Sequence, residues 1–358
     1  MRVLMVSLDG FDIETARRLA LPTLGRLATT SAVARLDSGQ TYLTGLTGEH
    51  LSNGLHPSEG GRQSAVSFDP ATYRVNQRPE SLPAAFGGVG EVVFDPCYFD
   101  LDRTPTTVRG IVDWGAHDPG GPQQERPLGL RDEITARFGL SPARPWLYGS
   151  PWPSSERCVE MASDLVHAVR ARSEISRWLL TERLPDWTLA LVNVSEAHSA
   201  SEGFFHGADP DHPLAVVPSA PAAQAAISDV YHAIDTLIAE LLEALPDVCT
   251  MVYTPHGMGI NNSDVASMVL LGELLARWSG RTTADLSFPV DESGLAQLGP
   301  DESWSTTVWR AAEGTANSSL VNAPRRLVSK ARAYRRRSTA PGIDWMPLVR
   351  HQRHWSTM

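Results

Sequence analysis

The chain has 358 residues, of which 42% are hydrophobic and 20% charged. That composition supports a core-forming globular protein of one large α/β domain or two smaller ones, and it excludes a disordered or fibrous chain. Its formal net charge of −10 argues against a general nucleic-acid binder, and no apolar run reaches the ~18 residues of a membrane span.

The first element is the run Val3–Leu8, which ends in Asp9-Gly10. A short apolar run closed by a turn signal reads as a buried strand of a parallel sheet. An acid at its carboxyl end falls where open α/β sheets place their ligand crevice, although an Asp there also serves as a helix cap. A strand starting this early leads to the expectation of no signal peptide, and three scattered cysteines (Cys97, Cys158, Cys249) suggest no disulfide framework. A cytoplasmic protein is the expectation.

Further along, Asp12 to Ala20 reads as a helix, Pro22 opens a second one through Leu27, and Ala32 to Leu36 suggests a short strand. A Ser/Gly/Thr-rich loop, Ser38 to Gly48, follows. From Pro57 to Gly149 the chain is rich in Gly and Pro, with one evident strand, Glu91 to Phe94, that also ends in an acid, Asp95. This region reads as long ordered loops over the active edge of the sheet, anchored by Tyr98, Phe99 and Trp114.

Regular alternation then returns. Helical spacing runs from Glu156 to Glu182, and Trp187 to Val194 reads as a buried strand. Ala222 to Leu245 carries Ile227, Val230, Ile234, Leu237, Ile238 and Leu241 on one face, and Val248 to Tyr253 reads as a third buried strand. Ser263 is a candidate N-cap for a helix to Trp278, and the segment from 280 to 358 is irregular. Seven basic residues and no acid lie between Arg325 and Arg337, a run that suits a solvated face or a polyanion contact. The expectation is one domain across residues 1–358.

Three strands end in polar clusters: Asp9-Gly10, the segment Ser195 to His212, and His256-Gly257-Met258-Gly259. In the second, His198 and Glu202 are four apart, so on a helix they face the same way and suit one shared ion. Imidazole with carboxylate fits Zn²⁺ or Mn²⁺, and His206 and His212 are further candidate ligands. In the Ser38–Gly48 loop, Ser38, Thr41, Thr44 and Thr47 offer hydroxyls that a base or metal can activate.

At these residues the sequence resembles the alkaline phosphatase superfamily, nearest its type I phosphodiesterase and nucleotide pyrophosphatase branch. The first strand ends in Leu8-Asp9-Gly10, as the family's first metal-ligand strand does. Counting back nine residues from Thr47 of Thr47-Gly48 gives Ser38 at the family's nucleophile position. Thr254-Pro255-His256-Gly257-Met258 resembles the family's late Ser-Asp-His-Gly. Ser38-Gly39-Gln40-Thr41 lacks the Pro and Arg of the sulfatase branch. Asp211-His212-Pro213 adds a further family-like match.

The resemblance implies an α/β/α sandwich with a mostly parallel central sheet and two metal ions clamping a phosphoryl group. Asp9 and His256 would bind one ion beside Ser38, and His198 and Glu202 would stand at the second ion's positions. Three departures accompany it: Pro255 replaces the late motif's Asp, His198 and Glu202 reverse the order of acid and imidazole, and only His351 and His354 stand near the family's third His. The expected function is a metal-dependent phosphate mono- or diesterase acting on a small-molecule ester, with a Ser or Thr nucleophile and neither membrane nor specific nucleic acid as partner. The alternatives are a binding protein that has lost this chemistry, or a phosphotransferase or mutase.

Overall fold

A computed structural model describes residues 1–35, 54, 59, 66–69, 74–77, 90–117, 123–146, 153–212 and 214–260. In chain order the elements are β1 (Val3–Leu8), α1 (Ile13–Leu19), α2 (Pro22–Thr30), β2 (Val66–Asp69), β3 (Arg74–Gln77), β4 (Glu91–Phe94), β5 (Val108–Val112), β6 (Gln124–Arg126) and α3 (Leu130–Phe138). They continue through α4 (Ser155–Trp178, followed by a π turn Leu179–Arg183), β7 (Leu189–Val194), α5 (Glu196–Ala208), α6 (Ala220–Ala244) and β8 (Cys249–Tyr253).

Among the described residues, six strands form one sheet in the order β6-β5-β4-β7-β1-β8, parallel except for β6, which pairs antiparallel with β5. β2 and β3 form a separate antiparallel pair. This is an α/β architecture consistent with an α/β/α sandwich, as the family resemblance implies.

Strand β1 is central because both of its faces are apolar. Leu4, Val6 and Leu8 face the main core, which α4, α5 and α6 cover together with Val192, Val194, Phe204, Ile227, Val230 and Leu237. Met5 points the other way, into a smaller cluster with Val93, Phe99, Leu101, Val108, Val112 and Leu191. The period-2 alternation of a strand divides the residues in this way.

The helices begin where the sequence supplies caps. The Asp12 carboxylate accepts the Thr15 N–H (2.7 Å) and opens α1, and the Ser154 hydroxyl accepts the Arg157 N–H (3.3 Å) at the start of α4. α2 has no cap of its own. Its first N–H groups, on Thr23 and Leu24, donate instead to the buried carboxylate of Asp235 on α6 (2.9 and 2.8 Å), an anion at the positive end of the helix.

Three expectations change. Residues 32–35 are exposed and form no strand, because no strand among the described residues lies alongside to pair with them; Leu36 itself lies outside the described residues. β8 is half-exposed rather than buried, because among the described residues only β1 flanks it. The segment 57–149 is more than loop, since it supplies β4, β5 and β6 of the main sheet and α3. The helix from Ser263 and everything beyond residue 260 lie outside the described residues.

Candidate metal centre

Asp9 leaves the end of β1, where its N–H donates to Val194 O of the neighbouring β7 (3.0 Å). The next residue, Gly10, turns the chain with φ +63°, a left-handed conformation that L side chains rarely adopt. A Cβ there would stand 2.8 Å from the His198 Cα, so the glycine is also what lets α5 approach. The turn is held from below. Tyr231 of α6 accepts the Asp12 N–H (2.9 Å) and stacks on Phe11 with ring centroids 4.3 Å apart, and the Ser201 hydroxyl donates to Gly10 O (3.2 Å).

β7 ends at Val194, and α5 starts two residues later, which places His198 in its first turn beside Asp9. On the other side, the chain leaving β8 is pinned by Thr254, whose hydroxyl lies within hydrogen-bond reach of Phe11 O (3.2 Å) and His256 O (2.7 Å). His198 Nδ1 then lies 3.3 Å from Asp9 Oδ2, and His256 Nε2 lies 3.1 Å from Asp9 Oδ1. One ligand atom from each of Asp9, His198 and His256 falls within 4.8 Å of the others. Burial alone would raise the Asp9 carboxyl. The imidazoles of His198 and His256 overcome that effect and hold it well below the usual carboxylate range. An anionic carboxylate with one ring nitrogen at each of its oxygens fits a divalent ion such as Zn²⁺ or Mn²⁺, which requires its ligands deprotonated.

A second donor group shares His198. His198 Nε2 and His117 Nε2 each lie 3.8 Å from Glu202 Oε1, and the His117 and His198 rings stack at 3.7 Å, 16° from parallel. His117 follows β5, and the loop that carries it is fixed at its root by Asp95, which accepts the N–H groups of Trp114 (2.8 Å) and Gly115 (2.9 Å).

Behind both groups lies a buried ion cluster built around Arg172 of α4, which is fully enclosed. Its guanidinium donates to Glu196 through Nε (3.1 and 3.0 Å) and Nη2 (2.9 Å), to Asn193 O through Nη1 (2.8 Å), and pairs with Asp95 at 3.1 Å. Phe94 and Trp114 face it with centroids 5.2 and 5.1 Å away, in cation–π range. Glu196 is the first residue of α5, two before His198. One arginine thus ties the helix bearing His198 and Glu202 to the loop bearing His117.

Cys97 completes the rim. Its thiol lies 3.1 Å from His117 O and 3.6 Å from Asp9 Oδ2, and it receives the Asn193 side-chain N–H at 3.4 Å.

Of the residues singled out from sequence, Asp9, His198, Glu202 and His256 come together. His206 and His212 do not join them. His206 lies in the last turn of α5 with Nε2 3.1 Å from the Ser219 hydroxyl, and burial with nearby His212 pushes it down to about 4. His212 accepts the Leu214 N–H on Nδ1 (3.0 Å). Ser38, Thr41, His351 and His354 lie outside the described residues. Pro255 stands directly before His256, where a proline ring offers no ligand atom. His117, Cys97 and Arg172 were not anticipated as site residues.

No curated protein matches this chain. Among solved structures it is similar to phosphonoacetate hydrolase from Sinorhizobium meliloti 1021 in complex with phosphonoformate, at 16% identity and a TM-score of 0.42, covering 79% of this chain and 63% of that one. The same enzyme in complex with phosphonoacetate matches at 16% identity and a TM-score of 0.43, covering 82% and 66%. The chain therefore spans slightly less than two thirds of the length of these structures. The sequence model of the type I phosphodiesterase / nucleotide pyrophosphatase family matches residues 3–305, most of the chain. The protein belongs to the type I phosphodiesterase / nucleotide pyrophosphatase family of the alkaline phosphatase superfamily.

Proposed function

We propose that this protein hydrolyses a phosphate ester or phosphodiester of a small molecule, with a divalent ion held by Asp9, His198 and His256 and with Ser38 as nucleophile. The observation that carries the reading is the convergence of those three side chains, from three different strand ends, within 4.8 Å. Family membership supplies the reaction class. A bound ion of this kind supplies Lewis-acid polarisation of a phosphoryl oxygen.

The chain's own residues prepare the site for that chemistry. Asp9 is kept anionic by its two imidazole neighbours, Gly10 permits the approach of His198, and Arg172 fixes the helix that carries His198. These groups are set by hydrogen bonds and ion pairs to buried partners, which is how a site is preorganised.

The test is turnover of bis-p-nitrophenyl phosphate and p-nitrophenyl phosphate by the full chain, before and after chelation and with Zn²⁺ or Mn²⁺ returned. Metal-dependent release that disappears in Ser38→Ala is the expected result. Turnover that survives complete metal removal, or that persists in Ser38→Ala, would refute the respective assignment.

Pro255 favours a second reading, a member that binds a phosphorylated ligand without cleaving it. Retention of an intact ester at equilibrium, with no product over days, would establish that reading instead. If product forms, analysis in the presence of acceptor alcohols separates a hydrolase from a phosphotransferase.

A further inference from the structure

The two donor groups at the strand ends overlap in one residue. His198 turns Nδ1 toward Asp9 (3.3 Å) and Nε2 toward Glu202 (3.8 Å), so each group uses a different nitrogen of the same ring. A neutral imidazole has one lone pair and one N–H. If Nδ1 gives its lone pair to an ion beside Asp9, Nε2 carries the proton and faces a carboxylate. At 3.8 Å that carboxylate is in ion-pair range and beyond hydrogen-bond length, on the side where a metal-bound histidine ordinarily has the acid that fixes its ring. A second ion on His117, His198 and Glu202 would need the same ring to give up its remaining proton.

The rest of the site agrees with one ion. Pro255 stands where the resemblance puts an acid next to His256, so among the described residues the donor group at Asp9 and His256 is completed by His198. The His117 ring lies flat against His198 at 3.7 Å and is itself 3% exposed, so it restricts the rotation of His198 about its Cβ–Cγ bond.

Resting on the phosphoesterase reading of this site, we infer that the chain holds one divalent cation, on Asp9, His198 Nδ1 and His256 Nε2, and that Glu202 and His117 position the His198 ring instead of ligating a second ion. Glu202 has thus changed duty. The family resemblance puts it at a ligand position, and the geometry makes it the outer partner of a ligand.

The experiment counts ions. The full chain is stripped with chelator, titrated with Zn²⁺ and separately with Mn²⁺ by calorimetry, and analysed for metal after dialysis. One ion per chain is expected. His256→Ala should abolish that binding, whereas His117→Gln should keep a stoichiometry of one. Glu202→Ala should keep one ion but bind it about 10–100-fold more weakly, the usual effect of losing an outer partner. Glu202→Gln, which still offers an oxygen to the His198 N–H, should restore most of the affinity.

Two ions in the wild-type chain, or none, overturn the inference. So does the reverse variant pattern, in which His117→Gln abolishes binding and His256→Ala retains it, because the ion then belongs to the other group. The wild-type count decides the matter if any variant fails to fold. Turnover is read separately: two ions with ester hydrolysis would sink the single-ion inference and leave the phosphoesterase reading, and one ion without hydrolysis would do the opposite.

Discussion

Replacing Gly10 with alanine tests how the turn after β1 and the first turn of α5 are coupled. The backbone there has φ +63°, and an alanine in that region costs about 1–2 kcal/mol. The new Cβ would stand 2.8 Å from the His198 Cα, 2.9 Å from its Cβ and 2.9 Å from its Cγ. Carbon atoms pack at about 3.5–4.0 Å, so the two segments must separate by roughly 0.7 Å. Relieving such an overlap in a packed interior costs a further ~1–3 kcal/mol, for a total of about 2–5 kcal/mol. Metal ligands tolerate errors of only about 0.2 Å, so Zn²⁺ affinity should fall at least about tenfold. Thermal denaturation measures the first effect and calorimetric titration of the stripped protein measures the second. Gly25→Ala, which meets no atom within 4 Å in α2, should leave affinity unchanged. Wild-type affinity in a destabilised Gly10→Ala chain would refute the coupling, leaving Gly10 as a requirement of the turn alone.

Arg172→Met strands the buried carboxylates of Asp95 and Glu196, which should lower stability by about 3–5 kcal/mol and be visible as a reduced denaturant midpoint; a loss under about 1 kcal/mol would contradict the clamp. Asp113 is raised by burial, with Arg144 opposing, to about 6. The folded state therefore binds more protons than the unfolded state between about pH 4 and 6, so this group's contribution is fully present at low pH and is lost as pH rises through 6. Asp113→Asn should flatten that part of the stability profile and raise stability at pH 7 by about 1–3 kcal/mol in urea titrations. His206 is lowered to about 4, so it favours the fold above about pH 6.5 and loses that contribution as pH falls toward 4. In His206→Gln the acid-induced loss of melting temperature over that interval should shrink, and an unchanged profile would place the titration elsewhere.

How much of this was legible depended on how uniformly each segment was buried. β1 and β7 are central parallel strands, apolar on both faces, and each announces itself as a continuous run. β5 is buried too, but it reads Val-Arg-Gly-Ile-Val, and the glycine resembles a break. Gly110 is there because β4 comes close: a Cβ would stand 1.8 Å from Val93 O, and its φ is +136°. Missing that strand hid the fact that His117 follows a strand end. Arg172 gave no signal for a related reason. It sits on a helix among arginines that face solvent, and only its tertiary partners, 21 to 77 positions away, distinguish it. Asp9, His198, Glu202 and His256 were legible because each lies just past a strand whose run could be read.

The turn leaving β8 is fastened to the turn leaving β1 through Thr254 and Phe11 and through His256 and Asp9. Among the described residues β8 has a single neighbouring strand, so these links hold the end of an outer strand to its inner neighbour across almost 250 positions of chain. An ion on Asp9 and His256 would act there as a reversible crosslink that closes a very long loop. The unfolded chain lacks such a site, so metal loading would stabilise the fold as the free ion rises above its dissociation constant. Amide hydrogen exchange should register this unevenly: β8 should exchange fast without metal and slow sharply with it, while β7, held on both sides, should change little.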